Sequence, residues 1–456
     1  MIKKIVLVLI VTFSIYPQSI KAKLEKFLTD KYFESCVVSI DVADLTSNST
    51  LFKKNEKYLL RPASNMKIVT SAAGLLYLSP DYEFKTDLYY DGTISHDTLY
   101  GNIYVIGGCD PDFTTTDLKY FVDAIKSLDI SVIAGDIIGD VSFKDSLYWG
   151  SGWMWDDDPS SDAPYLDALN INDNCVTVNY YGKNDSLEII PKTNYVSVIR
   201  LNSPDKLTID RRWFERKNEI IVKGSDNKND YSVQVNVLKP DLYFLKVFSE
   251  VLDSNQIKCK GNLRIDTLNS AQIFITSIKR KYSDVIGNLN KESDNLSAEM
   301  TLLALAEKFY GKPANAKNGI KVVKQMIEVI GLNPEDYRLV DGSGVSHYNV
   351  LSTELLTSLL KYFYTEKPEL YKLLYDSFPI GGVDGTLEKR MLNSPLKNNV
   401  HAKTGTLTGV SSLSGYLTSK NKHLLAFSII LQNFVGSSST AKKLEDEICK
   451  IIYECK

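Results

Sequence analysis

The sequence predicts an α/β fold of the α+β kind, in which one mixed domain is interrupted by an inserted, β-rich module. Three observations predict it. The chain has 456 residues, which is too long for one ordinary hydrophobic core. Residues 23–86 and 276–456 combine helical patterns with strands. Residues 87–275, by contrast, consist mainly of short strand-like runs between turn signals.

The amino terminus has the features of a targeting segment. Lys3 and Lys4 precede an apolar run over residues 5–16, and a polar stretch then leads to Ala22. This arrangement predicts a cleaved signal peptide over residues 1–22, and therefore a periplasmic or otherwise exported protein. The alternative is an uncleaved membrane anchor. Because the apolar run is too short to span a bilayer, no stable membrane anchor is expected.

Composition narrows the classes of partner and cofactor. The net charge is −3 and there is no basic tail, so nucleic acid is not an expected partner. The six cysteines are scattered, without a Cys-x-x-Cys pair, and the four histidines are isolated from one another. No metal site and no cofactor are therefore expected.

The first unit contains the earliest candidate for chemistry, the run Ser64-Asn65-Met66-Lys67. Here the pattern predicts a short helix at 24–29, a strand at 36–42 and a helix that begins around Ser64. Three residues are close to one helical turn, so the Ser64 and Lys67 side chains lie together on one face. A hydroxyl needs a base to become a nucleophile, and a lysine can act as that base when burial lowers its pKa. The alternative is an ordinary helix start with an exposed lysine, and the short pattern alone does not decide.

The remaining elements follow in order. In the middle section we expect strands at 98–108 and 135–140, helices at 117–128 and 240–252, and an aromatic, acidic loop at 149–159. In the last section we expect helices at 296–310, 319–330, 352–364 and 440–453, and two antiparallel strands at 411–418 and 423–431.

Two further short motifs lie in the last section. Ser293-Asp294-Asn295 precedes a predicted helix, and Lys403-Thr404-Gly405-Thr406 precedes a predicted strand. Alone, the first is typical of a helix cap and the second of a turn. Together, and in this order after Ser-x-x-Lys, they form a trio that is typical of β-lactamases and penicillin-binding proteins. Ser64 and Ser293 are 229 positions apart, so the motifs can meet only if the intervening module is looped out.

On these residues the chain resembles the D-Ala-D-Ala carboxypeptidase/endopeptidase family of penicillin-binding protein 4 type, the low-molecular-mass class C group. The resemblance covers essentially the whole mature chain. It also rests on further motifs at 101–111, 152–157, 169–178, 341–344 and 382–387. It implies a β-lactamase/transpeptidase-like catalytic domain, with an antiparallel sheet and helices on both faces, formed by 23–86 and 276–456. Residues 87–275 would be an accessory module of two nested domains.

The resemblance also implies what the residues do. Ser64 would attack the carbonyl of a D-Ala-D-Ala peptide, Lys67 would take its proton, Ser293 would relay a proton under the influence of Lys403, and Asn295 would position the acyl amide. Thr404, Gly405 and Thr406 would bind the terminal carboxylate and the peptide backbone. The implied partners are peptidoglycan stem peptides and β-lactam antibiotics.

A subsite for the far end of the stem is less regular. The family resemblance implies that Trp153 and Asp156 line it, with Asp156 binding an ammonium of the stem. The alternative for Asp156 is an acidic surface loop. The family then has an arginine where this chain has His347, at the end of Asp341-Gly342-Ser343-Gly344-Val345-Ser346-His347. A histidine cannot make the two-pronged contact to a carboxylate that an arginine makes. The identity of the diamino acid in the stem is therefore open.

Two other functions compete with a carboxypeptidase that also acts as an endopeptidase. One is a β-lactamase, but the look-alike run Leu166-Asp167-Ala168-Leu169-Asn170 lacks the glutamate that class A enzymes use for deacylation. The other is a catalytically idle peptidoglycan-binding protein. Because the three motifs are all intact, this reading is disfavoured.

Overall fold

The structure, a computed structural model, describes residues 19–268 and 272–455. Most of the predicted signal peptide lies outside these residues. The helices are α1 Ile20–Phe27, α2 Met66–Tyr77, α3 Leu118–Lys126, α4 Pro240–Ser254, α5 Tyr282–Lys291, α6 Asn295–Tyr310, α7 Ala316–Val329, α8 Thr353–Glu366, α9 Pro368–Ser377 and α10 Ser438–Tyr453. In residues 19–268 and 272–455, no helix has the length and apolar character needed to cross a bilayer.

Strands from the two ends of the chain form one sheet together, and strands from the middle of the chain form several others. They are β1 Val37–Asp44, β2 Ser49–Lys54, β3 Glu83–Tyr90, β4 Thr93–Ser95, β5 Thr98–Tyr100, β6 Ile103–Gly107, β7 Val132–Ile133, β8 Ile137–Asp140, β9 Cys175–Tyr181, β10 Ser186–Ile190, β11 Ser197–Leu201, β12 Thr208–Arg211, β13 Glu219–Lys223, β14 Tyr231–Asn236, β15 Lys258–Cys259, β16 Leu263–Ile265, β17 Ile273–Lys281, β18 Val400–Leu407, β19 Val410–Thr418 and β20 Leu424–Gln432.

An antiparallel sheet joins the two ends of the chain. Its strand order is β18-β19-β20-β1-β2, so the first strand of the chain lies beside the last, with Ile40 opposite Ile429. Strand β20 shows why helices are needed on both faces. Ala426 and Ile430 pack on the side of α8, whereas Phe427 and Ile429 pack on the side of α1 and α10. Side chains alternate across a strand, so both faces are apolar and both must be covered.

The first motif lies on the side of this sheet that faces α8. Helix α2 is buried from Met66 to Leu75 and packs against α6, which is itself buried over most of its length. Helix α5 approaches it closely at Gly74, where an added Cβ would lie 2.1 Å from the Tyr282 hydroxyl. A helix that is buried on all sides lies in the core of the protein. This explains why the helix after Ser64 contains mainly small and apolar residues.

Much of the middle of the chain forms a hydrophobic core of its own, while some of its residues join the core around α2 and α6: Cys109, Phe143, Trp153, Ala163, Leu166 and Ala168. Strands β16-β8-β6-β3-β17 make one sheet and β15-β7-β5-β4 another, with α3 and α4 packed against them. Residues 175–236 add two three-stranded sheets, β10-β9-β14 and β11-β13-β12. Strands β3 and β17 pair antiparallel, with Glu83 opposite Lys281, so the chain enters and leaves this region at one point.

Most predicted elements are confirmed, and the predicted antiparallel sheet with helices on both faces is correct. The main difference concerns the last motif. Lys403 to Thr406 do precede the predicted strand at 411–418, but they also lie in a strand that was not predicted, β18, which pairs with β19 along its whole length. The predicted strand at 98–108 is interrupted and forms β5 and β6. Helices α5 and α9 had no prediction, because each is only about three turns long and follows a strand or another helix without a clear break.

Candidate active site

The turn that carries Ser64 is tied to the sheet before helix α2 begins. Ser64 lies in a short 3-10 turn, Ala63–Asn65, and its side chain is half-buried. Ser412 Oγ donates to the carbonyl of Pro62 at 2.8 Å, and Asn65 Nδ2 donates to Ser414 Oγ at 2.7 Å. Both serines belong to β19. The position of the candidate nucleophile is therefore set by the sheet as well as by its own helix.

Strand β18 passes directly beside this turn at Gly405. An added Cβ there would lie 2.9 Å from the Ser64 amide nitrogen and 2.3 Å from Ser412 Oγ. Any other residue would push the strand away from the turn, so glycine is required by close approach. Because β18 is the edge strand, some of its backbone N–H groups face away from β19 towards the cleft.

Lys67 is fully buried, and its amine makes three hydrogen bonds. Its Nζ donates to Ser64 Oγ at 3.0 Å, to the Ser343 carbonyl at 2.8 Å and to Asn295 Oδ1. Burial lowers the pKa of Lys67 to about 8, although the nearby carboxylates of Asp294, Asp341 and Glu299 act to raise it. A lysine in this state exchanges readily between ammonium and neutral amine near neutral pH.

The second and third motifs meet each other. Lys403 Nζ donates to Ser293 Oγ at 2.7 Å and to the Thr404 carbonyl at 2.9 Å. Burial, together with the neighbouring Lys67, holds the pKa of Lys403 well below its usual range. Ser293 has a left-handed backbone, with φ of 64°, and Asp294 caps α6 by accepting from the Ser297 amide. The cap turns the Ser293 hydroxyl out of the helix towards Lys403.

Asn295 connects the motifs to the middle of the chain. While its Oδ1 accepts from Lys67, its Nδ2 donates to the Asp162 carbonyl at 2.6 Å. The motifs border a cleft of about 400 Å³. Its lining includes Ser64, Asp157, Ser160, Asp162, Ser293, Asn295, Gly344, Val345, Thr386, Arg390, Thr404, Gly405, Thr406 and Lys442. Thr404 Oγ1 also contacts Thr386 Oγ1 at 2.7 Å.

The loop that presents the Ser343 carbonyl is held from two sides. Glu299 Oε1 accepts from the amides of Gly342 and Ser343, at 3.0 and 2.8 Å. On the other side, Asp341 accepts from the amides of Gly344 and Ser346, at 2.9 and 2.7 Å. Burial and the nearby Asp341 raise the pKa of Glu299 to about 8.

The three residues predicted for the far end of the stem are placed differently from one another. Trp153 is only 6 % exposed, and its indole Nε1 donates to Asp341 Oδ2 at 3.0 Å. It therefore supports the 341–346 loop from inside and does not line the cleft. In this buried position the apolar ring is packed and its one N–H has a hydrogen-bond acceptor. Asp156 is exposed, and it is the next residue, Asp157, that lines the cleft.

His347 is half-buried and has an unexpected partner. Arg61 Nη1 lies 3.1 Å from His347 Nδ1. A guanidinium can only donate, so this contact requires the imidazole Nδ1 to accept. Arg61, three residues before Ser64, thus places a guanidinium next to position 347.

Comparison with known proteins identifies the family. The model of the D-Ala-D-Ala carboxypeptidase 3 (S13) family matches residues 20–454. The chain belongs to this family. It is a serine-type peptidase of the D-Ala-D-Ala carboxypeptidase class, as the sequence motifs predict.

The relatives align with nearly the whole chain. D-alanyl-D-alanine carboxypeptidase DacB of Haemophilus influenzae is 27 % identical, over 88 % of this chain and 86 % of its own length. A D-alanyl-D-alanine carboxypeptidase of an Actinomadura species is 25 % identical, over 92 % and 82 %. The crystal structure of penicillin-binding protein 4 from Haemophilus influenzae superposes with a TM-score of 0.84, at 25 % identity, covering 94 % of this chain and 99 % of that one.

Some residues at or near the site carry no motif of their own. Arg61 and Asp162 are ordinary surface residue types, and only the fold brings Asp162 to the cleft and Arg61 to His347. Glu299 did carry a signal. It lies four residues after Asn295, so a helix that presents Asn295 to the cleft presents Glu299 on the same face.

We expect Glu299 to act by positioning the Ser343 carbonyl. Glu299→Gln keeps an acceptor and the volume, so labelling by penicillin should stay within about threefold of wild type. Glu299→Ala leaves two buried amides without an acceptor and should lower the free energy of unfolding by about 2–4 kcal/mol. Because the carbonyl that contacts Lys67 loses its support, labelling should also slow by about tenfold or more.

Thr301→Ala is the control, because Thr301 is buried on the same helix and its hydroxyl donates to the Ser297 carbonyl of that helix, at 2.7 Å. It should change stability without changing the labelling rate. Urea unfolding and stopped-flow labelling measure the two quantities. Equal slowing by the glutamine and alanine variants would show that Glu299 has another role.

Proposed function

We propose that this protein is an exported D-Ala-D-Ala carboxypeptidase that cleaves peptidoglycan stem peptides through an acyl-enzyme on Ser64, with endopeptidase cleavage of cross-links as a second activity. β-Lactams would acylate the same serine. The observation that carries this proposal is the contact between Ser64 Oγ and the buried Lys67 Nζ at 3.0 Å. It pairs a hydroxyl with an amine whose pKa is lowered to about 8.

In the acylation step, neutral Lys67 takes the Ser64 proton as the oxygen attacks the carbonyl carbon of the penultimate D-Ala. The tetrahedral oxyanion is held by the backbone N–H groups of Ser64 and Thr406. The close approach of β18 to the Ser64 amide at Gly405 supports this pair. Thr404 and Thr406 hydroxyls bind the terminal carboxylate, and both border the cleft.

In the collapse step, the C–N bond breaks and the leaving amine must gain a proton. Ser293 gives its proton to that nitrogen and regains one from the ammonium of Lys67. Lys403 donates to Ser293 Oγ at 2.7 Å and so orients this hydroxyl for the transfer. Asn295 holds the acyl amide. Water then attacks the ester, and Lys67 accepts its proton and passes it to Ser64 Oγ as the C–O bond breaks. The shortened peptide then leaves.

We also propose how the stem is recognised. The pair Arg61–His347 takes the place of a single arginine and binds the carboxylate of the diamino acid. Asp157, which lines the cleft, is a better candidate for the stem ammonium than the exposed Asp156. Trp153 contributes by fixing Asp341, and through it the loop that ends at His347.

The proposed division of the chain follows the same logic. Residues 1–22 would be removed on export, residues 23–86 and 276–456 would form the catalytic domain, and residues 87–275 an accessory module of two nested domains. Support comes from the pairing of β3 with β17, which brings the two borders of the module together. A separate hydrophobic core around α3 and α4 also supports it.

Labelled penicillin and purified muropeptides test the proposal together. Wild type should form a long-lived adduct, and Ser64→Ala none. Mass spectrometry of muropeptides should show loss of one alanine for the carboxypeptidase, and conversion of dimers to monomers for the endopeptidase. Rapid turnover of penicillin would instead indicate a β-lactamase. A protein that neither labels nor cleaves would be a binding protein.

The rate of penicillin labelling should depend on pH through Lys67. A general base acts in its deprotonated form, so the rate should rise with pH and approach a plateau above about 8, the pKa of Lys67. Below that value it should fall by about tenfold for each pH unit. Stopped-flow labelling between pH 5 and 10 measures it. A rate that falls as pH rises through this range would contradict the assignment of Lys67 as the base.

Stem recognition predicts a substrate-dependent loss. Arg61→Ala should lower kcat/KM by about tenfold or more for stem peptides whose diamino acid has a free carboxylate, because a charge-assisted contact is lost. It should change little for the same peptides with that carboxylate amidated. Arg338→Ala is the control, since Arg338 is exposed and donates to the Tyr348 carbonyl nearby. An equal loss on both substrates would show that Arg61 does not bind this carboxylate.

A further inference from the structure

A group of aromatic side chains lies exposed on the inserted region. We call it the aromatic patch and define it as Tyr148, Trp155, Trp213 and Phe214. Trp155 is 66 % exposed, Phe214 76 % and Tyr148 46 %. Three of the rings touch, with centroids 5.2 Å apart for Trp155 and Trp213 and 5.7 Å apart for Trp213 and Phe214. Tyr148 lines the same surface pocket as these rings. Contiguous exposed apolar side chains of this kind often mark binding surfaces.

The patch is built from two distant segments that a buried ion pair holds together. Asp158, next to the turn that carries Trp155, pairs with Arg211, which is 1 % exposed. Arg211 also donates to Asn236 Oδ1 at 3.0 Å, and Asp158 accepts from the Tyr165 hydroxyl at 2.9 Å. Trp213 follows Arg211 by two residues. A satisfied buried network of this kind fixes the relative position of the two segments, so the rings form a preorganised surface.

The patch and the catalytic cleft are neighbours along one turn of the chain. Trp155 and Asp157 belong to the same short turn, Trp155–Asp157, and Asp157 lines the cleft. Their Cα atoms are therefore at most about 7.6 Å apart. Polar groups lie at the edge of the rings. Arg216 lies over the Tyr148 ring, 5.5 Å from its centroid, and Asp156 is exposed beside Trp155.

We propose that the aromatic patch binds sugar rings of the glycan strand that carries the stem peptide. This inference rests on the proposed function. The C–H faces of a pyranose stack on aromatic rings, while its hydroxyl and acetamide groups need hydrogen-bonding partners at the edge, which Arg216 and Asp156 offer. A stem of about four residues spans about 13 Å when extended, so a stem held in the cleft places its sugar near the cleft mouth, where the patch begins.

The occupant is thus a substrate segment and not a second protein. A partner copy or a lipid surface would cover the same rings but would also obstruct the adjoining cleft. The sugar, in contrast, is attached to the peptide that the cleft holds. The patch would therefore favour stems still linked to glycan over free peptides.

A kinetic comparison tests this. We expect Phe214→Ala to lower kcat/KM by about fivefold, and Trp155→Ala with Phe214→Ala together by about twentyfold, for a disaccharide-pentapeptide. With the free pentapeptide the same variants should stay within about twofold of wild type. Tyr120→Ala is the matched control, because Tyr120 is 65 % exposed on α3, outside the patch, and should affect neither substrate. An equal loss on both substrates, or no loss on either, overturns the proposal.

A binding measurement separates this inference from the proposed function. The β-1,4-linked tetramer of N-acetylglucosamine contains no peptide, so it binds independently of any cleavage. It should change the tryptophan fluorescence of wild type and of Ser64→Ala alike, and not that of the double patch variant. If the muropeptides are not cleaved but the tetramer binds, the proposed function fails and the patch remains. If the tetramer does not bind, or if sedimentation shows a dimer that Phe214→Ala dissociates, the patch is not a glycan site.

Discussion

The buried amine of Lys67 is the feature around which the site is assembled. A buried ammonium is unstable without acceptors, and it lies here among oxygens of Ser64, Asn295 and Ser343. These residues come from three parts of the chain that are far apart in sequence. A second lysine, Lys403, is fully buried nearby, and two such amines disfavour each other's charged forms. The burial of these amines opposes folding, but the same burial favours the form of the amine that can accept a proton.

The middle of the chain also takes part in this arrangement. Its Asp162 carbonyl accepts from Asn295, and its Trp153 indole donates to Asp341. Through these two contacts, one wall of the cleft and the loop behind Lys67 both depend on residues between β3 and β17. The antiparallel pairing of Glu83 with Lys281 makes this possible, because it closes the long excursion of the chain at a single point.

Sequence reasoning succeeded where chemistry is concentrated in short motifs. The order of the three motifs indicated the family and the fold class, and the pattern around Ser64 predicted the buried helix that follows it. It did not foresee the burial of Trp153 or the strand that contains Lys403 to Thr406. Aromatic residues fit equally well against a substrate or in a core, so Trp153 was placed in the wrong environment. A Lys-Thr-Gly run has turn-like composition, yet pairing with β19 makes it a strand.

The sequence by itself determined which groups are available for the chemistry and in what order the chain supplies them: a serine with a lysine one turn later, a second serine before a helix, and a lysine next to a glycine. Tertiary structure decided the distances between them and the state of each lysine, because both depend on burial. It also decided that Arg61 lies beside His347 and that Glu299 supports the Ser343 carbonyl. Contacts of this kind depend on the packing of segments hundreds of residues apart, and no local pattern carries them.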